Sequence, residues 1–432
     1  MKSYAKSNEL VARELKCSPL AAQTFSKSHR YFMPNNAPMF IDHGKGARVY
    51  DVDGNEFLDF TASLGPITLG YCYDKVNDAV KAQLEKGIIF PTQSPLECEL
   101  AELLTSLIPC AEMVKFVKNG SDATTAAIRI ARAFTGRKRV AMSGYHGMHD
   151  WSIGASANRK GVPEDVCALT DTFKYNDLSS IESVLNSHPG EYAAVILEPI
   201  QSNGTTTEYL QGLKDLVHKH GALLIFDEVV SGFRYALGGG GEYYGVTPDM
   251  ASFGKGCSNG MPLSFVAGRR DLISMIEQGV FISMTFGGEA LSLAGCIATV
   301  KELVEKDAFK HFWKLGQIMK DGLENLIKKH GIESAVSVSG LAPHCGLAFD
   351  GVGSLNYLDV NSIFSSVMIE NGILCHAINN INLSHTEEDI KLYLDAADKA
   401  FALIKVAIDK DSLDGILPEG ARVNPIFKRN IK

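Results

Sequence analysis

Two ionisable residues between Leu223 and Gly256 stand 28 positions apart, each in a setting that suits catalysis. Asp227 follows the apolar run 223–226, and Lys255 lies between two glycines. The run is typical of a buried strand, and open α/β sheets place their sites at the carboxyl ends of strands. We expect the glycines to leave the backbone room for a bulky ligand beside the lysine.

A buried acid and a reactive lysine suit the chemistry of pyridoxal phosphate (PLP). The lysine forms a Schiff base with this cofactor, and the acid pairs with its pyridine nitrogen. The rest of the chain must then supply a cradle for the phosphate and a clamp for the ring.

The segment around Gly120 is a candidate phosphate cradle. A strand ends near Lys118, the glycine turns, and Ser121 or Asp122 can cap a helix over 123–134. A helix N-terminus with free N–H groups and a hydroxyl binds anions, although an ordinary N-cap has the same signature. We expect the backbone N–H groups and Ser121 to bind, because an inward-facing Asp122 carboxylate would repel phosphate.

The loop 143–151 follows another strand and offers a candidate ring clamp. Tyr145 or His146 can stack on a flat ring. The alternative is a metal site formed by His146, His149 and Asp150. The glycines break this loop, whereas the His-Glu-x-x-His type of zinc site needs a helix, so we favour the absence of a metal.

Two further polar residues are candidates for the same site. Glu198 ends the apolar strand 194–197 and can place a second carboxylate at the same edge, or it is only a residue at a strand end. Thr285 lies in the polar loop 283–289, which either contacts a phosphate or simply starts a helix.

Two nucleotide-binding interpretations compete for the central stretch. Asp227 and Glu228 after an apolar run resemble the strand that holds Mg²⁺ in ATPases, but the required upstream G-x-x-x-x-G-K-[ST] is absent. The dinucleotide motif G-x-G-x-x-G is also absent after the first strand of any βαβ unit.

Strand-like and helical segments alternate from about 114 to 300, which predicts an α/β fold with a mostly parallel sheet and helices on both faces. After about 310 the helices become longer and the strands short. We therefore predict that residues 66–310 form a large PLP-binding domain. Residues 1–65 join residues 311–432 in a smaller α+β domain, because the N-terminal hairpins lack a core of their own.

Composition restricts the classes of function. The chain has 432 residues, 45% of them hydrophobic, and a net charge of −8, with no basic block that would indicate nucleic acid. Nine scattered cysteines without a Cys-x-x-Cys indicate reduced thiols in a cytosol. Cys257 either lines the site or fills the core. We find no apolar leader and no run of 18 apolar residues, so we expect a soluble cytoplasmic protein.

The chain resembles the class III aminotransferases, which are fold-type I PLP enzymes, and especially their glutamate-1-semialdehyde 2,1-aminomutase branch. The resemblance covers nearly the whole length and rests on an ordered set of motifs: Tyr50-Asp-Val-Asp-Gly-Asn, Leu64-Gly-Pro, Asn119-Gly-Ser-Asp-Ala, Tyr145-His-Gly, Asp227-Glu-Val-Val-Ser-Gly-Phe-Arg, Phe253-Gly-Lys and His385-Thr-Glu-Glu-Asp-Ile.

The resemblance implies a role for each candidate. Lys255 would form the Schiff base and shuttle protons between substrate carbons, and Asp227 would hold the pyridinium proton. Residues 120–122 would form the phosphate loop, and Tyr145 would stack on the ring. Thr285 would reach the phosphate of a neighbouring subunit's cofactor, which implies a homodimer.

The chain departs from the aminomutase pattern at the substrate side. Relatives carry Ser-Trp-Gly-Pro where this chain has Leu64 in place of the tryptophan. Arg30 is the only candidate for a carboxylate-binding arginine ahead of the first strand, and no arginine occurs between Glu370 and Gly420. We therefore expect a substrate other than glutamate semialdehyde, selected by loops 63–72, 145–160 and 372–386.

Three hypotheses follow. The first is an aminotransferase that moves an amino group between a small-molecule donor and an aldehyde or ketone acceptor. The second is an aminomutase that exchanges amino and carbonyl groups within one molecule. The third is a non-catalytic or nucleotide-binding protein on the same scaffold, which the intact lysine and aspartate oppose.

Overall fold

The structure is a computed structural model that describes residues 2–31, 33, 36–201, 204–375, 378–417 and 421–424. Contacts divide these residues into two units. The small unit contains residues up to Leu64, residues 69–73 and those from Lys310 onward; the large unit contains Gly65–Thr68 and Asp74–Phe309. Whether each unit is an independent domain stays a prediction. Among the described helices, none combines the length and apolar character that a membrane span requires.

The N-terminal part of the small unit consists of one helix and three strands, α1 (Ala5–Glu14), β1 (Ile41–Lys45), β2 (Arg48–Asp51) and β3 (Glu56–Asp59). The three strands pair in antiparallel fashion. The turn between β2 and β3 has Gly54 at φ +89°, and the Asp51 carboxylate accepts hydrogen bonds from the amides of Asp53 and Asn55. β2 and β3 therefore form a hairpin around Asp53-Gly54-Asn55.

Seven strands form the sheet of the large unit: β4 (Met113–Val117), β5 (Arg139–Ser143), β6 (Thr170–Thr172), β7 (Tyr192–Leu197), β8 (Leu223–Glu228), β9 (Met250–Phe253) and β10 (Ser264–Gly268). Their order is β4-β10-β9-β8-β7-β5-β6. Only β10 runs antiparallel to its neighbours, so the prediction of a mostly parallel sheet is confirmed. β8 and β9 are adjacent, with Asp227 opposite Ser252, which brings the two ends of the central stretch to one edge.

The helices of the large unit are α2 (Asp74–Leu84), α3 (Pro95–Leu107), α4 (Gly120–Thr135), α5 (Asp150–Ile153), α6 (Glu164–Cys167), α7 (Leu178–Ser187), α8 (Thr207–Lys219), α9 (Gly239–Tyr244), α10 (Arg270–Ile273) and α11 (Ala290–Glu305). α4 begins at Gly120, three residues before the start at 123 that apolar periodicity predicts, and Asn119 is its N-cap. A cap lies before the first apolar position, so periodicity alone misses the first turn.

The core of the large unit lies between α4 and the sheet. It includes fully buried aliphatic residues of the helix, such as Ala127 and Ile130, and strand residues such as Val140 and Ile225. This packing holds the N-terminus of α4 in place at the edge where β8 ends.

The C-terminal part of the small unit contains α12 (which begins at Ala308 and ends at His330), β11 (Val336–Ser339), β12 (Gly346–Phe349), α13 (Tyr357–Glu370), β13 (Ile373–Leu374) and α14 (Glu387–Lys410). β13 pairs in parallel with β3, so strands from both ends of the chain share one sheet in the order β1-β2-β3-β13. His376 and Ala377, inside the predicted substrate loop 372–386, lie outside the described residues.

Candidate active site

Asp227 lies buried near the carboxyl end of β8, and protein groups contact both of its carboxylate oxygens. Oδ1 accepts a hydrogen bond from the Val229 amide at 3.1 Å, and Oδ2 lies 2.8 Å from Nδ1 of His146. A carboxylate held from two sides has a fixed orientation. It therefore presents a defined acceptor to a ligand at this edge of the sheet.

His146 contributes to the site through Asp227. Its ring is fully buried, with Nδ1 on Asp227 and Nε2 at 3.1 Å from the Ser143 carbonyl oxygen. The Ser143 carbonyl oxygen can only accept, so Nε2 donates to it, and an ionised Asp227 carboxylate makes Nδ1 a donor as well. In that state the two side chains form a buried ion pair. The ring contact with a cofactor stays a prediction for His146.

The alternative use of the loop 143–151 as a metal site is not supported among the described residues, where no group of three or more potential ligands occurs. Both nitrogens of His146 are engaged. His149 instead lies with Nδ1 at 2.7 Å from Thr125 Oγ1 and Nε2 at 3.7 Å from an Asp122 oxygen.

Glu198 follows β7, the strand next to β8, and joins the same cluster. Gly144 shows how closely it approaches, because a Cβ on this glycine (φ +107°) would lie 3.7 Å from Glu198 Oε1 and 3.8 Å from His146 Nε2. Burial, reinforced by the Asp227 carboxylate, raises the pKa of Glu198 to about 7, while His146 and Lys255 act in the opposite direction.

Lys255 begins a 3₁₀ turn directly after β9 and has the left-handed φ of +39°, which is uncommon for a residue with a side chain. Burial lowers the pKa of its amine. The carboxylates of Glu198 and Asp227 oppose this shift, and the Arg234 guanidinium reinforces it. The balance increases the fraction of uncharged, nucleophilic amine.

The glycines that flank this lysine have a different role from the one we expected. A Cβ on Gly254 would lie 2.5 Å from Ser264 Oγ, and one on Gly256 would lie 2.9 Å from Thr68 Cγ2. The space beside the backbone is thus filled by the protein itself, so the expectation of room for a ligand at these glycines is wrong. Cys257 is fully buried with its thiol 3.5 Å from the Leu263 carbonyl oxygen, which favours the core interpretation.

The N-terminus of α4 lies next to the end of β8, since a Cβ on Gly120 would come within 2.8 Å of Val229. The N-cap is Asn119, and the assignment of the cap to Ser121 or Asp122 is therefore wrong. Asn119 and Asp122 form a reciprocal capping box, so the Asp122 carboxylate accepts from the Asn119 amide at 3.1 Å.

This arrangement fits a phosphate group. The amides of Gly120 and Ser121 belong to the first turn, where a helix offers no internal acceptors. Ser121 Oγ accepts from the Met148 amide at 3.1 Å, which leaves its own hydrogen to donate. A Cβ on Gly147 would lie 2.5 Å from this oxygen, so only glycine lets the two loops approach. Donors, the helix dipole and a capped Asp122 together suit an anion.

Tyr145 and Thr285 differ in their placement. Tyr145 is half exposed, and burial together with the Asp227 carboxylate raises the pKa of its hydroxyl, so it lies near the acid. Thr285 is exposed and lines a separate cleft of about 720 Å³, whose lining includes neither Lys255 nor Asp227. Within one chain, the structure does not bring Thr285 to the other candidates.

Sequence reasoning missed two residues that shape the site. Glu228 is buried and accepts hydrogen bonds from Ser231 and from the amides of Gly240 and Gly241, so it anchors the turn after β8. Arg234 is also buried, and it acts on Lys255. A signal for both was present in the run Asp227–Arg234, where Glu228 and Arg234 are charged residues in the same short segment as Asp227.

An α/β sheet with a buried acid, a lysine and an anion-binding helix N-terminus at one edge is the arrangement of PLP-dependent transferases. The family model described as aminotransferase class III matches residues 31–383. The chain belongs to the class III aminotransferase family, and PLP is its cofactor.

Individual relatives agree with this assignment. The chain is 34% identical to 3-aminobutyryl-CoA aminotransferase of Cloacimonas acidaminovorans, covering 87% of this chain and 91% of the relative. It is 33% identical to glutamate-1-semialdehyde 2,1-aminomutase of Desulforamulus reducens, covering 92% and 98%. A solved structure of a transaminase with PLP bound superimposes with a TM-score of 0.87 at 26% identity, covering 94% and 99%.

Proposed function

We propose that this enzyme transfers an amino group between a donor and an aldehyde or ketone acceptor, with Lys255 and Asp227 as its central catalytic residues. The observation that carries the proposal is the single cluster formed by Asp227, His146, Glu198 and Lys255 beside the N-terminus of α4. Bound PLP supplies a carbonyl group that accepts the amino group and a ring that stabilises negative charge beside it.

The residues of this cluster would have different roles. Gly120 and Ser121 would hold the phosphate with backbone and hydroxyl donors, and the Tyr145 ring would lie on the pyridine ring. The Asp227 carboxylate would accept a hydrogen bond from the protonated pyridine nitrogen, and His146 keeps this carboxylate in place. Because Asp227 is buried and oriented, it costs little reorganisation when charge develops during the reaction.

Lys255 has two tasks. Its Nζ would hold PLP covalently, with loss of water, and the lowered pKa favours the free amine that this requires. When a substrate amine is bound to the cofactor instead, the released Nζ would move a proton between substrate carbon atoms as an acid–base group. The test is to fix the adduct with borohydride and locate the added mass; a wild-type enzyme that carries no adduct on Lys255 would refute this role.

The substrate side supports transfer rather than internal exchange of glutamate semialdehyde. Leu64 replaces an aromatic wall, and Arg30 is exposed, with its carbonyl oxygen accepting from the Asn424 amide at 3.1 Å. We infer a polar carbonyl metabolite of a sugar-like or amino-acid-derived kind. The deciding experiment screens donors and acceptors, including β-amino acyl thioesters because one relative is named for 3-aminobutyryl-CoA, and follows the cofactor absorbance.

An aminomutase is the second candidate, favoured by the similarity to glutamate-1-semialdehyde 2,1-aminomutase over 92% of the chain. The two reactions differ in their mass balance. A transferase releases one keto product from the donor for each acceptor aminated, whereas a mutase converts its substrate without a donor. Turnover of glutamate semialdehyde without any donor product would establish the mutase.

We also propose that the enzyme is a cytoplasmic homodimer in which Thr285 contacts the neighbouring subunit's cofactor. Six exposed apolar residues support a self-association surface around the 720 Å³ cleft: Ile88, Ile89, Phe90, Phe281, Met284 and Phe286. Patches of this kind mark interfaces. Sedimentation of the wild type and of Phe286→Glu tests the dimer; a wild-type monomer at assay concentration would refute it. The nine cysteines lie at described positions and form no disulfide, which supports a reducing compartment.

A further inference from the structure

Arg234 is an almost completely buried arginine in the large unit, six positions after the end of β8. Only 1% of it is exposed. Removing a guanidinium from water is costly unless its donors are used. Its Nη2 donates to the carbonyl oxygen of Gly65 at 2.8 Å. The side chain therefore reaches across 169 positions of sequence to the segment Gly65–Thr68.

The direction of this side chain is fixed by the turn that carries it. Phe233 has the left-handed φ of +59°. Its ring packs edge-on against Phe253 and Phe265 at centroid distances of 5.9 and 6.3 Å, and those two rings stack at 4.9 Å. A strained backbone persists where its surroundings over-determine it. The aromatic core thus holds the turn that points Arg234 toward Gly65.

The segment reached by Arg234 is attached at its other end to the turn of the catalytic lysine. Thr68 Oγ1 donates to the Gly256 carbonyl oxygen at 2.9 Å, and the Thr68 amide donates to Asn259 Oδ1 at 3.1 Å. A Cβ on Gly256 would lie 3.6 Å from the Phe233 Cβ, so the turn before Arg234 also touches the lysine turn. The segment Gly65–Thr68, the turn that carries Arg234 and the turn that carries Lys255 therefore contact one another.

Arg234 is also one of the three charged groups that act on Lys255. Glu198 from the end of β7 and Asp227 from β8 raise the pKa of the lysine, and Arg234 from the turn after β8 lowers it, in the same direction as burial. Burial lowers the pKa of Arg234 itself to about 10, so the guanidinium remains a cation at neutral pH.

We propose that Arg234 is a positioning residue with two effects: it holds Gly65–Thr68 against the lysine turn, and it places its positive charge beside the turn that carries Lys255. The inference rests on the proposed function, in which this amine captures PLP. Arg234 thereby connects Gly65–Thr68, which is part of the predicted substrate loop 63–72, with the turn that carries the lysine.

The experiment measures capture of PLP by the apoenzyme across pH, with the adduct fixed by borohydride and counted at Lys255 by mass spectrometry. Arg234→Met removes the charge, and the matched variant Arg234→Lys keeps it. We expect the midpoint of the capture profile to move to higher pH in Arg234→Met and to stay near the wild-type value in Arg234→Lys. Removing a neighbouring cation stabilises the protonated amine, which sets the sign.

Hydrogen exchange of the Thr68 amide separates the second effect from the first. Both Arg234 variants should exchange this amide faster than the wild type, because neither reproduces the planar donor fork. Thr68→Val should speed exchange of the neighbouring amides without moving the capture profile.

The possible outcomes separate the two effects. If the midpoints of the PLP-capture profile are equal in all variants, or shift equally in Arg234→Met and Arg234→Lys, the role of the charge is overturned. Unchanged exchange in Arg234→Lys overturns the positioning role, and this variant decides even if Arg234→Met does not fold. A wild-type enzyme that captures no PLP at Lys255 would instead refute the proposed function.

Discussion

The contact between His146 and Asp227 makes a quantitative prediction about the stability of the large unit. His146→Ala leaves the Asp227 carboxylate buried, with a 2.8 Å partner removed and only the Val229 amide remaining. Breaking a buried ion pair by removing one partner typically costs about 3–5 kcal/mol. We expect a loss of stability of this size in the apoenzyme at neutral pH.

His146→Asn is the matched variant. Its amide nitrogen can occupy the place of Nδ1 and donate to Asp227, while the bond to the Ser143 carbonyl is lost. The cost should then fall to roughly 1–3 kcal/mol, the price of one unsatisfied buried group. In the double variant His146→Ala/Asp227→Ala, neither charge remains, so its loss should be well below the sum of the two single losses.

The assay is urea unfolding followed by tryptophan fluorescence. The chain has two tryptophans, and Trp151 lies buried in the core of the large unit. In a Trp313→Phe background the signal reports that unit alone, which avoids mixing two transitions. With a slope of about 3 kcal/mol per molar urea, the His146→Ala midpoint should fall by roughly 1 M or more. A loss below about 1 kcal/mol, or a double variant whose loss equals the sum, would refute a charged pair.

Three further predictions concern the cofactor and pH. Lys255→Ala should abolish the borohydride-fixed adduct, whereas the exposed control Lys174→Ala should retain it; an adduct surviving the first change would contradict the assignment. Ser121→Ala should weaken PLP binding about 10-fold to 150-fold, because a hydrogen bond to a charged group contributes roughly 1.5–3 kcal/mol. The control Thr135→Ala, at the far end of α4, should leave PLP binding unchanged. Spectral titration measures PLP binding in both variants. Glu198 has a folded pKa of about 7 against an ordinary value of 4.5, so its ionisation opposes folding progressively across that window and fully above it. Glu198→Gln should therefore gain thermal stability relative to wild type between pH 5 and pH 8, and a difference that is constant with pH would disprove the shift.

Much of the fold was accessible from local patterns. The apolar runs of β7 and β8 predict buried strands, and the alternation of strands with helices predicts the parallel sheet, because both depend on side-chain periodicity within a few residues. The position of the first helical turn was less accessible. Asn119 caps α4 through a side chain outside the apolar pattern, so periodicity placed the start of the helix too late.

The candidate site, like the fold, could be predicted from the sequence only in part. Asp227 lies near the carboxyl end of β8 and Lys255 follows the adjacent parallel strand β9, so the order of strands in the sheet brings them to one edge. The contact of His146 with Asp227 joins residues 81 positions apart, and its partner could not be chosen from the types of residue in its loop. The flanking glycines of Lys255 misled the interpretation, because only packing shows that Ser264 and Thr68 fill the space beside them.

The sequence by itself determined the class of chemistry. An acid after a buried strand, a lysine between glycines and a capped helix start are local features that neighbouring residues define without any long-range contact. The tertiary structure decided how these groups are tuned. The contact of His146 with Asp227, the raised pKa of Glu198 and the reach of Arg234 to Gly65 all depend on burial and on contacts between distant segments. Burial and long-range contact are properties of the packed chain, and no local pattern encodes them.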